Sequence, residues 1–443
     1  MLRKITALSL LAFCAACGGE PAPPVVPPPT TARPPIEPSA SAQTDAGATA
    51  DTSNTPAMTT SPGNVPMQTS IEAFNSDLYS NLKSAKGNIF YSPTSIELAL
   101  AMTAAGAKGT TLSQMQSTLH LSNDMAATGQ SASSLLATWG TPQQKGPTLA
   151  IANRLWAQQG YALQPDYLQN TNKWYGADVG QLDFKKSADA SRKTINTWVS
   201  DKTNKKIPDL LPSGSITAST RLVLTNAVYF KGAWRTTFDK KLTKAEAFKA
   251  PAGNVQAQMM HTKLEHGSYA DVGDAEVLAI PYAGDASHRL SMLVVLPKAG
   301  KTTATVEGEI DPNEVSKWAS ACSEASVNLS LPRFKTTGSF ELSAVLKQMG
   351  MPAAFGADAD FSGIAQKTED PLYISAVVHK AFVDVNEEGT EAAAATGVVM
   401  RAMAATLPPK TVDFKVDHPF LFFIRDDASG TVLFAGRIED PTK

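Results

Sequence analysis

Apolar positions along the chain change their period several times. Ile71, Phe74, Leu78 and Leu82 recur at three- and four-residue spacing, which predicts a helix near the start of the body with that stripe facing a core. Ser92 or Thr94 offers the start of a second helix, Pro93 suits its first turn, and residues 96–104 are apolar enough to be buried. A more amphipathic stretch follows Gly109 and runs to about Leu136. Residues 151–157 read as a strand, with helices expected around Pro165 to Trp174 and from Ile195 onward. Residues 222–230 are almost continuously apolar, the pattern of a strand covered on both faces. Strand-like runs recur at 277–280, 290–296, 327–331, 372–385, 419–424 and 432–437, and helical spacing returns at 341–346. This order predicts an α+β body with large antiparallel sheets and no internal repeat.

Between the strand ending near Asn386 and the hairpin beginning near Phe414 lies a segment with no such period, residues 387–413, about 27 long. Loops of that length in a compact domain are usually functional or disordered, and this one is small and apolar rather than polar. Its alanines, Ala392 to Ala395, favour helix, yet Gly389 and Gly397 flank them and β-branched Val398 and Val399 follow. Read as a strand, the segment puts Thr390, Ala392, Ala394, Thr396 and Val398 on one face and Glu391, Ala393, Ala395, Gly397 and Val399 on the other. The first face carries no charge and nothing larger than valine, so it can lie over a core without burying a charge or crowding packed space.

Glu387-Glu388-Gly389-Thr390-Glu391-Ala392-Ala393-Ala394-Ala395-Thr396 resembles the reactive-loop hinge of the serpins, and the resemblance runs through almost all of the chain after the first 70 residues. Asn88-Ile89-Phe90-Tyr91-Ser92-Pro93-Thr94-Ser95-Ile96, with Gly106-Ala107, is similar to the family's early buried helix. Residues 222–234 resemble its central strand and the turn after it, and Asp417-His418-Pro419-Phe420 with Leu433-Phe434-Ala435-Gly436-Arg437 its C-terminal hairpin. The resemblance implies three β-sheets, about nine helices, an exposed reactive loop, no cofactor and no enzymatic activity. A serine protease would cleave the loop and be trapped as an acyl-enzyme when the freed hinge enters the central sheet. Glu387 and Glu388 would end the preceding strand, Gly389 would permit the pivot, and Thr390 would enter the sheet first, followed by Ala392, Ala394 and Thr396. Counting along the family's usual loop length places the reactive bond at Met403–Ala404, which suits elastase-, chymotrypsin- or subtilisin-like pockets; Arg401 as the bait would instead select a trypsin-like one. Ser92, Ser95, Asn226 and His379 would form a cluster that parts when the strand enters, with Trp234, Arg333 and Glu387 controlling the upper sheet. Some serpins carry a basic face near residues 109–136, but no Lys or Arg lies between Lys108 and Lys145, so no heparin-like activation through this face is expected. The alternative is a non-inhibitory serpin-fold binding or adhesion module whose loop is merely cut.

Composition adds a leader to this body. Of 443 residues, the first four are Met1-Leu2-Arg3-Lys4 and the next twelve an apolar run too short to span a bilayer, the form of a secretory signal. Cys14-Ala15-Ala16-Cys17-Gly18-Gly19 resembles a bacterial lipoprotein cleavage site, giving a signal over 1–16 and Cys17 as the lipidated residue, with Cys14 the weaker choice and a plain secreted product the alternative. Residues 17–66 hold twelve of the 29 prolines and no aromatic side chain, so they are expected to form a disordered tether able to reach on the order of 100 Å, ahead of a body over 67–443. The protein is accordingly expected to be exported, monomeric, and either anchored to a bacterial cell envelope or secreted. A formal net charge of −2 gives no general attraction to nucleic acid or anionic membrane. Cys322 is the only cysteine after the leader, so the body has no internal disulfide and the residue is read as a small buried hydrophobe. No nucleophile elbow, zinc-protease helix or phosphate loop occurs, and the histidines at 120, 261, 266, 288, 379 and 418 are scattered, so no metal is expected.

Overall fold

The computed structural model describes residues 65–140, 147–284, 289–390 and 411–443. The described residues hold nine α-helices: α1 (Met67–Leu82), α2 (Pro93–Ala104), α3 (Gly109–Thr118), α4 (Met125–Gly140), α5 (Pro165–Tyr175), α6 (Phe184–Lys202), α7 (Thr303–Glu307), α8 (Glu314–Ala321) and α9 (Ser343–Met349). The stripe on α1 is buried as expected, with Ile71, Phe74 and Leu78 at 0% exposure. Ser92 caps α2 by accepting from the Ser95 N–H at 3.2 Å, Pro93 occupies its first turn, and all twelve residues are buried. The amphipathic stretch after Gly109 divides into α3 and α4, with His120 in the left-handed region between them (φ 52°).

One sheet has the strand order β10 (Phe334–Glu341), β11 (Ile374–Asn386), β12 (Gly389–Thr390), β4 (Leu222–Ala233), β2 (Thr148–Gln158) and β3 (Val179–Leu182). The other runs β1 (Ile89–Tyr91), β15 (Val432–Ile438), β14 (Phe420–Asp426), β8 (Leu290–Pro297), β7 (Ala275–Pro281), β6 (Gly253–Val272), β9 (Ser323–Pro332) and β13 (Thr411–Lys415), with β5 (Lys244–Ala250) beside β6. This second network takes in two of the three expected sheets. They share β6 and β9, whose pairing shifts register between Leu264 and Gly267; β5 borders β6 before that shift and β7 after it.

The core lies between the two networks and under the helices. Val228, Phe230, Ala381, Val383 and Val385 of the first sheet pack with Phe90, Phe422 and Phe434 of the second. The opposite face of the first sheet, through Val223, Ala227, Val378 and Phe382, is covered by Phe184, Ile195 and Val199 of α6. Burial on both faces explains why β4 reads as an almost continuous apolar run.

Two expectations are corrected. The helical spacing at 341–346 straddles a boundary, since Glu341 closes β10 and α9 begins only at Ser343. Nor is 387–413 loop throughout: Gly389 and Thr390 form β12, and residues 411–413 belong to β13.

Candidate functional site: a strand slot in the first sheet

β11 and β4 run parallel and pair directly from Ile374↔Leu222 to Phe382↔Tyr229. Above that point they part, and β12 stands between them, antiparallel to both: Val385↔Thr390 and Asn386↔Gly389 on one side, Gly232↔Thr390 and Ala233↔Gly389 on the other. The start of the segment after β11 therefore already occupies the top of a slot whose lower part is closed.

Gly389 makes this entry sterically possible. Its φ is 153°, and a Cβ there would lie 2.1 Å from the Gly232 carbonyl oxygen and 2.7 Å from Ala233 Cα. Thr390 follows, fully buried, its hydroxyl 2.7 Å from that of Tyr282. The Tyr282 ring stacks on Trp234 at 4.7 Å between centroids. Trp234 clasps the turn from above: its indole N–H donates to the Asn386 carbonyl at 2.9 Å and its backbone N–H to the Glu388 carbonyl at 3.0 Å. Glu387 is 3% exposed and accepts from the Thr243 hydroxyl at 2.8 Å, while half-exposed Arg333 approaches it at 3.6 Å. Glu388 pairs with exposed Lys240 at 2.5 Å.

Lower in the slot the four expected cluster residues meet. His379 Nδ1–H donates to the Asn226 side-chain oxygen, and its Nε2 accepts from the Ser92 backbone N–H at 3.1 Å. The Asn226 amide donates to Ser95 Oγ and to Asn153 Oδ1, both at 2.5 Å, and the Asn153 amide donates to the Ser95 carbonyl at 3.1 Å. Both ring nitrogens of His379 are thus matched only in the neutral form. Complete burial pushes its pKa down to about 3. The cluster ties α2 to β11, β4 and β2 at once, while Ser92 Oγ and Thr94 Oγ1 bind α2 to the Leu433 and Val432 carbonyls of β15, each at 2.6 Å.

Asn153, Tyr282, Thr243 and Gly232 belong to the site and are not among the residues expected from sequence. Asn153 carries a readable signal, a polar residue inside the apolar run 151–157 and opposite Asn226 in register. Tyr282 carries none, because it is brought in by an isolated bridge to Trp234. The expected Glu391, Ala392, Ala393, Ala394, Ala395, Thr396, Arg401, Met403 and Ala404 lie outside the described residues, as do Cys14, Cys17 and His288. Cys322 is partly exposed rather than wholly buried, and burial pushes its thiol up to about 11, well away from thiolate reactivity. Among the described residues no group of His, Cys, Asp and Glu is arranged to hold a metal ion.

The profile of the Serpin (serine protease inhibitor) family matches residues 69–441. The chain belongs to the serpin family. A serpin-like protein of Thermococcus kodakarensis is 40% identical over 376 residues, covering 85% of this chain and 86% of that one. The leukocyte elastase inhibitor of Sus scrofa is 38% identical over 381 residues, covering 83% of this chain and 97% of its own length. Among solved structures, a highly specific serpin of the insect Tenebrio molitor superposes with a TM-score of 0.74 at 31% identity, over 84% of this chain and 98% of that one. The family is one of protease inhibitors that are generally not catalytic.

Proposed function

We propose that this serpin inhibits a serine protease as a suicide substrate, by inserting its cut loop into the slot between β11 and β4. The protease serine attacks the carbonyl of Met403 and forms an acyl-enzyme, releasing the amino group of Ala404. The segment after Thr390 then continues downward in the register that β12 already holds. Ala392 would come opposite Val383 and Phe230, Ala394 opposite Ala381 and Val228, and Thr396 between His379 and Asn226. Directly opposed residues share a face, so each arrives in a lining of apolar side chains except Thr396, which meets the two polar groups it must separate.

The observation that carries this reading is β12 itself, two residues of the loop seated in the slot with a register that matches the small, uncharged face of the loop to the inner face of the sheet. Insertion exchanges one parallel ladder for two antiparallel ones, a net gain near one hydrogen bond per inserted residue. About ten residues at ~1 kcal/mol each give roughly 10 kcal/mol, comparable with the whole stability of a domain. The inserted strand spans about 34 Å, so the acylated protease is drawn from one end of the sheet towards the other. An apolar P1 side chain at Met403 fits chymotrypsin-, elastase- or subtilisin-like pockets; cleavage after Arg401 would mark a trypsin-like target. Export with a diacylglyceryl anchor on Cys17 and a proline-rich tether belongs to the same proposal, and radiolabelled palmitate that stays on a Cys17→Ser variant would overturn that part.

The test is to mix the protein with each protease class and resolve the products on a denaturing gel. A covalent band at the summed mass, with the bond after Met403 identified by mass spectrometry, is the expected result. Complete cleavage with full recovery of protease activity would contradict it and leave a substrate-like, non-inhibitory serpin.

A further inference from the structure

Glu97 lies on α2, two residues after the Ser95 of the hydrogen-bonded cluster, and plays no part in the site described above. It is 0% exposed, and neither carboxyl oxygen has a hydrogen-bond partner among the described residues. The hydroxyl of Tyr175, at the end of α5, is also buried and without a partner, and it stands close enough to Glu97 for the two to interact electrostatically. Burial raises the pKa of the carboxyl well above the ordinary value. An unpaired carboxyl in such a place is a standing penalty on the fold, whether it is kept neutral or left charged. The other buried polar side chains of α2, Thr94, Ser95 and Thr103, all have hydrogen-bond partners, so the helix would form and pack without it.

The penalty sits at a sliding surface. α2 is fixed to β15 through Ser92 and Thr94. α5 lies between β2 and β3 in the chain, and those strands are on the far side of the slot. A strand entering between β11 and β4 widens their spacing by about 4.8 Å, so β4, β2 and β3 must shift over α2 and pull on α5, which the chain joins to β2 and β3 and the Tyr167 hydroxyl joins to the Met102 carbonyl of α2. That shift changes the surroundings of a residue held between α2 and α5.

We propose that Glu97 is a built-in destabiliser of the uncut, closed sheet whose burden is relieved when the sheet opens, so that it sets how readily the loop inserts. The inference rests on the loop-insertion reading above. It is tested by comparing wild type with Glu97→Gln, which keeps shape, and Glu97→Leu, which replaces the polar group altogether, each as the intact protein and after cutting in the reactive loop. The expected result is that Leu raises the melting temperature of the intact form by at least about 3 °C. The gap between intact and cut forms narrows, and more inhibitor is consumed per protease trapped, with Gln moving both quantities in the same direction by a smaller amount. Intact melting temperatures unchanged or lowered in both variants would overturn the inference, as would equal shifts in the intact and cut forms. Wild type alone separates the two ideas: no gap between its intact and cut forms removes loop insertion itself, whereas a normal gap that both variants leave untouched removes only the role of Glu97.

Discussion

His379 concentrates the physics of the site in one side chain. Of the five polar groups that meet there, Ser92, Ser95, Asn226 and His379 were expected through the resemblance to the serpin family, and Asn153 was not. The residues themselves carry no local signal of that meeting, since Ser92 and His379 stand 287 residues apart. The neutral imidazole also makes the cluster sensitive to acid. Its folded pKa of about 3 lies below the ordinary 6.5, so below pH 6.5 the unfolded chain binds a proton that the folded chain refuses. Stability from this group is full above pH 6.5 and is lost as pH falls towards 3, at a limiting slope of ~1.4 kcal/mol per pH unit. His379→Gln should lower stability at pH 7.5 yet show less further loss at pH 5 than wild type does. Denaturant midpoints at the two pH values check this; parallel losses in both proteins would show that the imidazole does not titrate with unfolding.

At the scale of elements, the strand slot was half visible. Residues 222–230 announce a strand by almost continuous apolar character and 372–385 by a strand-like run, and the segment after them announces itself by having no period of its own. That β4 and β11 are parallel neighbours, and that Gly389 and Thr390 already stand between them, comes from pairing across some 150 residues and could not be read locally. β5 and β6 were missed for a different reason. Their residues alternate between exposed and buried on a solvated sheet face, and runs such as 253–258 (GNVQAQ) carry too few apolar positions to stand out. The slot also sets what may enter it. Thr390 is fully buried against Tyr282, so Thr390→Arg would bring an unpaired cation to the first position of the inserting strand. The variant should be cut as fast as wild type but trap little or no protease, shown by more moles of inhibitor consumed per mole of enzyme inactivated; an unchanged ratio would count against insertion at this position.

For the whole molecule, the proposed function requires the uncut form to be one strand short of its best sheet. The lower slot is held shut by parallel pairing of β11 with β4 and by the cluster that spans them. The segment able to replace that pairing is tethered at the top by Trp234, Gly389 and Thr390. Under that proposal the fold departs from agreement between sequence and structure at its functional site. Heating the intact protein beside protein nicked once in the reactive loop measures it most directly. Loop insertion requires the nicked form to melt at a clearly higher temperature, by well over 10 °C on the scale of the hydrogen bonds gained. Coincident melting curves would contradict the account, because a cut that releases no stability cannot disable the protease that makes it.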